Sequence, residues 1–150
     1  MVHCPDALVW QLVNRNNCFM KKTNGRTSRS GSIKFSVEPG NLRSLSTLRY
    51  SGIANTKAVG IDFAEGDKAV LTTKTASKAS TAPKKGRATI PLNKDYRRTE
   101  KTIRSQVLDN RYRPDLVGAA TAKYSAVYRA NRFAKGVKKA PAVKKGRSKK

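Results

Sequence analysis

The sequence predicts an α+β fold in which a small antiparallel sheet packs with an N-terminal helix and two C-terminal helices. The strongest strand signal is a hairpin: apolar residues alternate over 59–63, a turn containing glycine follows at 65–67, and 69–75 returns as the partner strand. The strongest helix signal lies over 114–133. Apolar and aromatic residues recur there at spacings of three, four and seven, at Val117, Ala120, Tyr124, Val127 and Tyr128.

The helix over 114–133 also has a favourable start. Pro114 suits the first helical position, because the N–H that proline lacks would be unpaired there. Asp115 adds negative charge in the first turn, which complements the helix dipole. About twenty residues at 1.5 Å each give a rod of roughly 30 Å, so this helix is the predicted spine of the domain.

A shorter helix is predicted near the N terminus. Asp6 precedes the apolar segment 7–13 and can accept an N–H of the first turn as a capping residue. Leu8 and Leu12 share one face, and Trp10 adds a large apolar side chain. We therefore expect most of this helix to be buried.

Four further segments have weaker strand signals. Residues 18–22 indicate a brief strand, 47–50 a weaker one, and 89–92 a short extended piece. Between the first two, apolar residues alternate with polar ones in the period of a strand with one buried face, at Ile33, Phe35 and Val37.

A second helical face is predicted over Asp95 to Asp109, formed by Tyr96, Ile103 and Val107. The opposite side of this helix carries four cations, Arg97, Arg98, Lys101 and Arg104. Residues 75–88, which precede the extended piece, contain no large apolar side chain, so we expect them to form a polar loop. The predicted organisation is one compact domain over 1–133 and a basic extension over 134–150.

The charge of the chain indicates an acidic partner. Lysine and arginine number 33 against 9 acidic residues, which gives a net charge of +24. Self-repulsion of that size destabilises a compact state unless a polyanion neutralises it. The extension 134–150 has one kind of charge and no aromatic residue, so we expect it to be disordered until bound.

Catalytic and metal-binding constellations are missing from the sequence. The only histidine, His3, lies near the N terminus, where a fixed geometry is not expected. The acidic residues are scattered, and no phosphate-binding glycine loop occurs. The sequence therefore predicts no catalytic residue, no metal ligand, no cofactor and no small-molecule substrate.

The two cysteines and the apolar segments fit an intracellular protein. Cys4 and Cys18 are separated by thirteen residues and belong to no C-x-x-C pair, so we expect reduced, packed thiols that form no disulfide and bind no metal. The apolar run in 7–13 is well short of the roughly twenty residues that span a bilayer. No membrane partner is predicted.

Cations next to aromatic residues recur along the chain, which favours binding to folded RNA. Arginine pairs with phosphates or stacks on bases, and aromatic rings hold unstacked bases. For Tyr124 and Tyr128 the apolar helix face favours core packing, whereas for Tyr112 core packing and RNA contact stay equally open. The predicted RNA-binding residues are Arg15, Arg26, Arg29, Arg49, Tyr50, Arg97, Arg98, Lys101, Arg104, Arg111, Tyr112, Arg113, Arg129, Arg132, Lys135, Lys138 and Lys139.

Four blocks of the sequence resemble the eukaryotic large-subunit ribosomal protein twenty-eight family, in order and at similar spacing. They are 10–13 with 17–19, 35–42, 48–52, and Asn110 to Leu116, and the resemblance spans about residues 8 to 133. It implies a non-catalytic α+β protein of the large ribosomal subunit, with ribosomal RNA and neighbouring ribosomal proteins as partners. It also implies a location in the cytoplasmic ribosome after assembly in the nucleolus.

Three other functions share some of these sequence features. The lysine, alanine and proline content of 138–145 is typical of linker-histone tails, but the strand-rich first half is not typical of a three-helix DNA-binding module. A ribosome assembly factor on a related fold would leave the mature particle. A nucleic-acid enzyme would need the acid, base and metal ligands that the sequence lacks.

Overall fold

The computed structural model describes residues 4–24, 29, 31, 33–78, 81–82 and 85–137. Within these ranges the α+β fold predicted from the sequence is confirmed. The helices and strands in chain order are α1 (Asp6–Val13), β1 (Met20–Asn24), β2 (Ile33–Ser36), β3 (Val59–Ala64), β4 (Lys68–Lys74), β5 (Arg87–Leu92), α2 (Tyr96–Arg104) and α3 (Val117–Ala134). A π-helical turn, Ser105–Asp109, extends α2, and a 3-10 turn, Pro114–Leu116, leads into α3.

The strands form two antiparallel sheets where the sequence had indicated one. β1 pairs with β2 in a two-stranded ribbon, and β3, β4 and β5 form a three-stranded sheet in that order. The predicted hairpin is confirmed, with Ile61 opposite Leu71 and a turn in which Gly66 and Asp67 have positive φ values. The two sheets are separate because β5 pairs along the free edge of β4, and no described strand joins the ribbon to the three-stranded sheet.

The core lies between the three-stranded sheet and the two C-terminal helices. Val59, Ile61 and Leu71 of the sheet are at most 1% exposed, and they face buried residues of α2, the π-helical turn and α3, namely Ile103, Val107, Ala120, Tyr124 and Val127. Each large aliphatic side chain buried in this way stabilises the fold by about 1.5–3 kcal/mol. The predicted spine helix therefore does pack along the sheet.

Three tyrosines form a cluster where α2 meets α3. The ring of Tyr96 lies 5.5 Å from that of Tyr124 and 5.3 Å from that of Tyr128, measured between centroids. The Tyr96 hydroxyl is 2.7 Å from Ser125 Oγ, and burial raises the pKa of Tyr124. The preference for core packing at Tyr124 is confirmed, while Tyr128 is half-buried at the edge of the core.

Two predictions about helix α1, its burial and its capping residue, were wrong. None of its residues is buried, and Leu8 and Leu12 are 48% and 73% exposed, because no other element covers that face in the described structure. Asp6 is not the capping residue; Pro5 holds that position. Instead the Asp6 carboxylate accepts hydrogen bonds from the Thr56 N–H at 3.0 Å and the Thr56 hydroxyl at 3.2 Å. A polar contact thus holds α1, where we expected an apolar one.

Three other local predictions were wrong. Ile33 and Val37 are about half exposed while Ser36 is buried, since this strand lies in a two-stranded ribbon and its polar side meets the interior. Residues 48–50 form a 3-10 turn, because the Thr47 carbonyl accepts the N–H of Tyr50. Cys4 and Cys18 are free thiols but exposed, not packed, since neither lies on a face turned to the core.

The segment between β2 and β3 has little regular structure and depends on side chains to pair its backbone. The Lys74 ammonium donates to the carbonyls of Gly52, Ile53 and Asn55, at 3.2, 3.2 and 2.7 Å. Burial, followed by the nearby charge of Arg87, lowers the pKa of Lys74. At the other end of the segment the buried Glu38 carboxylate accepts the Ser51 hydroxyl at 3.1 Å.

The residues just before α3 complete this pairing. Tyr112 donates its hydroxyl to Lys74 O and accepts the Ala58 N–H at 3.1 Å. Arg113 donates to Lys57 O at 2.8 Å, to Arg49 O at 2.9 Å, and through Nε and Nη2 to the two oxygens of Asp115 at 2.8 and 2.9 Å. We call Lys74, Tyr112, Arg113 and Asp115 the carbonyl lock, because they fix the carbonyls of 49–58 against the sheet and the start of α3.

We predict that Tyr112→Phe destabilises the protein by about 1–3 kcal/mol, because it leaves the polar backbone groups of Ala58 and Lys74 without their partner. Urea denaturation of the full chain measures this. Tyr50→Phe is the control, since no described residue bonds to its hydroxyl, and its effect should stay within about 0.5 kcal/mol. Equal midpoints for Tyr112→Phe and the unaltered chain would contradict the structural role of the hydroxyl.

We also predict a specific acid sensitivity of the carbonyl lock. The hydrogen bonds from Arg113 lower the pKa of Asp115, so the stability that this carboxylate contributes is present above its unfolded pKa and is lost as pH falls through the folded value. The unaltered chain should therefore lose more stability below about pH 4 than Asp115→Asn. Urea midpoints measured across that range give the comparison, and parallel profiles would show that Asp115 makes no such contribution.

Candidate nucleic-acid interface

Helix α2 presents a row of exposed cations on the side away from the core. Thr99 and Ile103 are buried on its inner side, so the predicted face of Arg97, Arg98, Lys101 and Arg104 points outward. Arg98 Nε lies 3.3 Å from Asp95 Oδ1 in an exposed pair, whereas the other three make no ion pair with any residue in the described ranges. These cations are therefore free to meet phosphates.

A groove runs beside the cations of α2. It measures about 380 Å³ and is lined by Lys94, Arg98 and Lys101 together with three polar residues, Thr102, Ser105 and Gln106. Cations and hydroxyl or amide groups are the side chains that contact a sugar-phosphate backbone. The groove therefore extends the cationic face of α2 beyond the helix itself.

A second cationic cluster surrounds the ring of Tyr50. The guanidinium carbons of Arg49 and Arg43 lie 5.6 and 6.0 Å from the ring centroid. Arg49 is held in place because it donates to Asp115 O at 2.6 Å, and its Nε lies 3.6 Å from the Asp115 carboxylate. The structure thus brings the predicted pair Arg49 and Tyr50 together and adds Arg43.

The Tyr50 cluster borders a groove of about 460 Å³ along α3. Its α3 side consists of Lys123 and small residues, Gly118, Ala119, Ala122 and Ala126. Small side chains let a neighbouring backbone come close to the helix, and Lys123 supplies a charge beside them. This groove therefore combines a surface of small side chains with a cation at its edge.

The predicted residues 111–113 divide into two kinds. The Arg111 side chain is exposed, and its backbone has a φ of +48°, an uncommon conformation that turns the chain just ahead of α3. Tyr112 and Arg113 belong to the carbonyl lock: burial raises the pKa of Tyr112, and the hydrogen bonds to Asp115 raise the pKa of Arg113. Their polar groups are therefore occupied within the protein.

The end of α3 holds three more predicted residues. Arg129 and Lys135 are exposed, and the Arg132 guanidinium lies 5.9 Å from the centroid of the Tyr128 ring. The helix ends in a defined cap, because the N–H groups of Gly136 and Val137 bond to Phe133 O at 2.9 Å and Arg132 O at 3.0 Å. This cap fixes the position from which Lys135 projects.

The remaining predicted residues lie elsewhere on the chain. Arg15 is exposed just after α1, and Arg29 is exposed between β1 and β2. Arg26, Lys138 and Lys139 lie outside the described residues. The structure therefore assembles the predicted set on α2, on the Tyr50 cluster and at the end of α3.

Sequence reasoning missed Arg43, Lys94 and Lys123 as members of these surfaces. Lys94 precedes Arg98 by four positions, so extending the periodicity of α2 by one turn finds it. Arg43 lies in an irregular segment, and only the tertiary structure places it beside Tyr50. No sequence signal marks it.

No group of three or more His, Cys, Asp or Glu side chains that could hold a metal ion occurs in the described residues. None of the described helices is long and apolar enough to cross a membrane.

Comparison with known proteins agrees with the resemblance seen in the sequence. The profile of the ribosomal L28e protein family matches residues 8–130. The large ribosomal subunit protein eL28 of Schizosaccharomyces pombe is 35% identical over 131 residues, which are 87% of this chain and 95% of the relative. The protein of the same name from Dictyostelium discoideum is 32% identical over 128 residues, 85% of this chain and 89% of the relative.

The matched residues include α2, the carbonyl lock and almost all of α3. The matched family is one of ribosomal proteins, not of enzymes, so the prediction of a non-catalytic protein is confirmed. The profile matches most of the chain and the relatives align over most of their length, so the chain belongs to the ribosomal L28e protein family.

Proposed function

We propose that this chain is a structural constituent of the large subunit of the cytoplasmic ribosome, where it binds and stabilises folded ribosomal RNA. The similar proteins from two eukaryotes are named as large-subunit proteins, and a net charge of +24 requires a polyanion close by. The observation that carries the RNA-binding role is the outer face of α2, where Arg97, Lys101 and Arg104 have no acidic partner in the described ranges.

The mechanism is charge neutralisation combined with shape fitting. Arginine presents a planar fork of N–H donors that matches a phosphate, and a helix holds successive forks in a fixed row. Phosphate contacts of this kind supply affinity and fix register, while selectivity comes from RNA shape and from a few exposed bases. A rigid helix packed on a sheet suits this task, because its cations need little further ordering when RNA binds.

The other surfaces contribute to the same binding. Arg111, the Tyr50 cluster and the end of α3 offer cations on the remaining sides of the body. The basic extension 134–150 neutralises more distant phosphates, and neighbouring ribosomal proteins complete the surroundings of the chain. Tyr112 and Arg113 serve the interface indirectly in this proposal, since they position Arg49, Arg111 and the start of α3.

The proposed role also implies where the chain is assembled and where it works, and it differs from two rival functions. Assembly would take place in the nucleolus and the working site would be the cytoplasmic ribosome. A ribosome assembly factor would share the RNA-binding surface but would leave the finished particle. No observation favours a linker-histone role, because the body of the chain contains two sheets.

We predict that the tagged chain, expressed in a eukaryotic cell, sediments with mature large subunits and stays with them through a high-salt wash. Many phosphate contacts and a shape-fitted body hold a structural constituent in place, whereas an assembly factor leaves before maturation. The measurement is the amount of tag in gradient fractions before and after the wash. Tag confined to precursor particles would favour the assembly factor, and tag in chromatin would overturn the ribosomal role.

We further predict that replacing Lys101 and Arg104 by alanine lowers the slope of log affinity against log salt by roughly 1.4–1.8, at about 0.7–0.9 per lost phosphate contact. A salt titration of the purified full chain on a structured fragment of large-subunit RNA measures it.

The matched control replaces Lys78 and Lys85, two exposed lysines of the polar loop that were not predicted to bind RNA. It removes the same charge and leaves α2 intact, so its slope should fall by clearly less. Equal slopes for the two variants would show that only net charge matters and that α2 is not the interface.

A further inference from the structure

Glu38 is the one acidic residue of the described structure that is buried, at 5% exposed. It forms no ion pair in the described ranges. Its two carboxylate oxygens instead accept hydrogen bonds from neutral groups, the Asn41 amide at 3.0 Å and the Ser51 hydroxyl at 3.1 Å. Because burying a charge costs free energy, the position of these two partners indicates what the carboxylate does.

The two partners of Glu38 lie on separate loops. Asn41 belongs to the loop that follows β2, and Ser51 comes directly after the 3-10 turn Leu48–Tyr50. Packing also joins these loops, because a Cβ at Gly52 would overlap the backbone of the loop after β2. The carboxylate therefore helps to fix that loop against the turn that carries the Tyr50 ring.

Asn41 connects the carboxylate to Arg43. Its Nδ2 donates to Leu45 O at 2.8 Å as well as to Glu38, and its Oδ1 accepts the N–H of Arg43 at 3.2 Å. The backbone turns around this side chain through a φ of +57° at Ser44, an uncommon conformation for a residue other than glycine. The backbone of Arg43 is thus fixed from both sides.

The Arg43 side chain is free to bind an external ligand. Its guanidinium carbon lies 6.0 Å from the centroid of the Tyr50 ring, and the guanidinium forms no ion pair with any described residue. Arg49, the other cation of the Tyr50 cluster, is already bonded to Asp115. Because an arginine beside an aromatic ring keeps its N–H donors available, those of Arg43 can pair with a phosphate.

We propose that Arg43 binds a phosphate of folded RNA, and that Glu38 is the positioning residue that holds Arg43 in place through Asn41. The proposal rests on the RNA-binding function proposed above and adds a specific contact to it. Arg43 lies on an irregular loop, where an unsupported arginine would lose much conformational freedom on binding. The hydrogen bonds of Asn41 order this loop before RNA binds, so less freedom is lost and affinity is higher.

The test compares two changes of the same residue, Glu38→Ala and Glu38→Gln, in the full chain. Both remove one negative charge, so the two variants have the same net charge. Glutamine can still accept the Asn41 amide through its oxygen and can donate to the Ser51 hydroxyl, whereas alanine can do neither. Each change is also combined with Arg43→Ala, and all variants are titrated with salt on a structured fragment of large-subunit RNA.

We expect Arg43→Ala to lower the slope of log affinity against log salt by about 0.7–0.9, which corresponds to about fivefold weaker binding at ~0.15 M salt. Glu38→Ala should cause most of the same loss, about threefold to fivefold. Glu38→Gln should stay within about twofold of the unaltered chain. In the Arg43→Ala background, Glu38→Ala should weaken binding by no more than about twofold further, because it acts through Arg43.

A residue that only stabilises the fold would give a different result, because its effect on binding would not depend on Arg43. The proposal is therefore overturned if the losses of Glu38→Ala and Arg43→Ala add. It is also overturned if glutamine and alanine at position 38 behave alike, or if Arg43→Ala leaves the slope unchanged. Should Glu38→Ala fail to fold, Asn41→Ala takes its place in the same comparison with Arg43→Ala.

The control for lost stability is Ile61→Val, a change in the core of the three-stranded sheet. It should lower the urea midpoint and leave affinity and salt slope unchanged. If the unaltered chain does not bind the RNA, the proposed function itself fails. If the unaltered chain binds and the variants do not follow the pattern above, only the roles of Arg43 and Glu38 fail.

Discussion

The pairing of backbone carbonyls by cationic side chains is the constraint on which the rest of this structure depends. Residues 49–58 connect the ribbon to the sheet without strand partners, and unpaired carbonyls are costly when they are taken out of water. Lys74 and Arg113 satisfy five of these carbonyls, and Tyr112 pairs the backbone at the start of β3. Because these donors sit on β4 and just before α3, the same bonds that pair the segment also dock α3 on the sheet.

This constraint divides the cations of the chain into two groups. Those of the carbonyl lock, Lys74 and Arg113, are partly buried, and they carry out a structural task. Those on α2, and Arg129 and Lys135 at the end of α3, are exposed, and in the described ranges only Arg98 of this group forms an ion pair. Amino-acid composition alone does not distinguish these two groups, so it would suggest that both bind phosphates. The geometry assigns Arg113 to the first group and Arg97, Lys101 and Arg104 to the second.

The parts of the fold that the sequence predicted are those in which local periodicity and core contacts agree. The hairpin β3–β4, helix α2 and helix α3 all show this agreement, and their outward cations followed from the same periodicity. The predictions failed where a distant partner decides the outcome. Leu12 is exposed because nothing covers α1 in the described structure, and the contact that does hold this helix joins Asp6 to Thr56, fifty positions away.

The cations of α2 are held more firmly than those of an irregular segment. Helix α2 packs on α3, and the tyrosine cluster joins the two helices. The core therefore fixes the distances between the cations on the outer face of α2. In the proposed function, contacts from such a row to phosphates fix orientation and leave the sequence unread. A rigid row of cations suits recognition by shape, because it fits best to a folded RNA that presents its phosphates at matching distances.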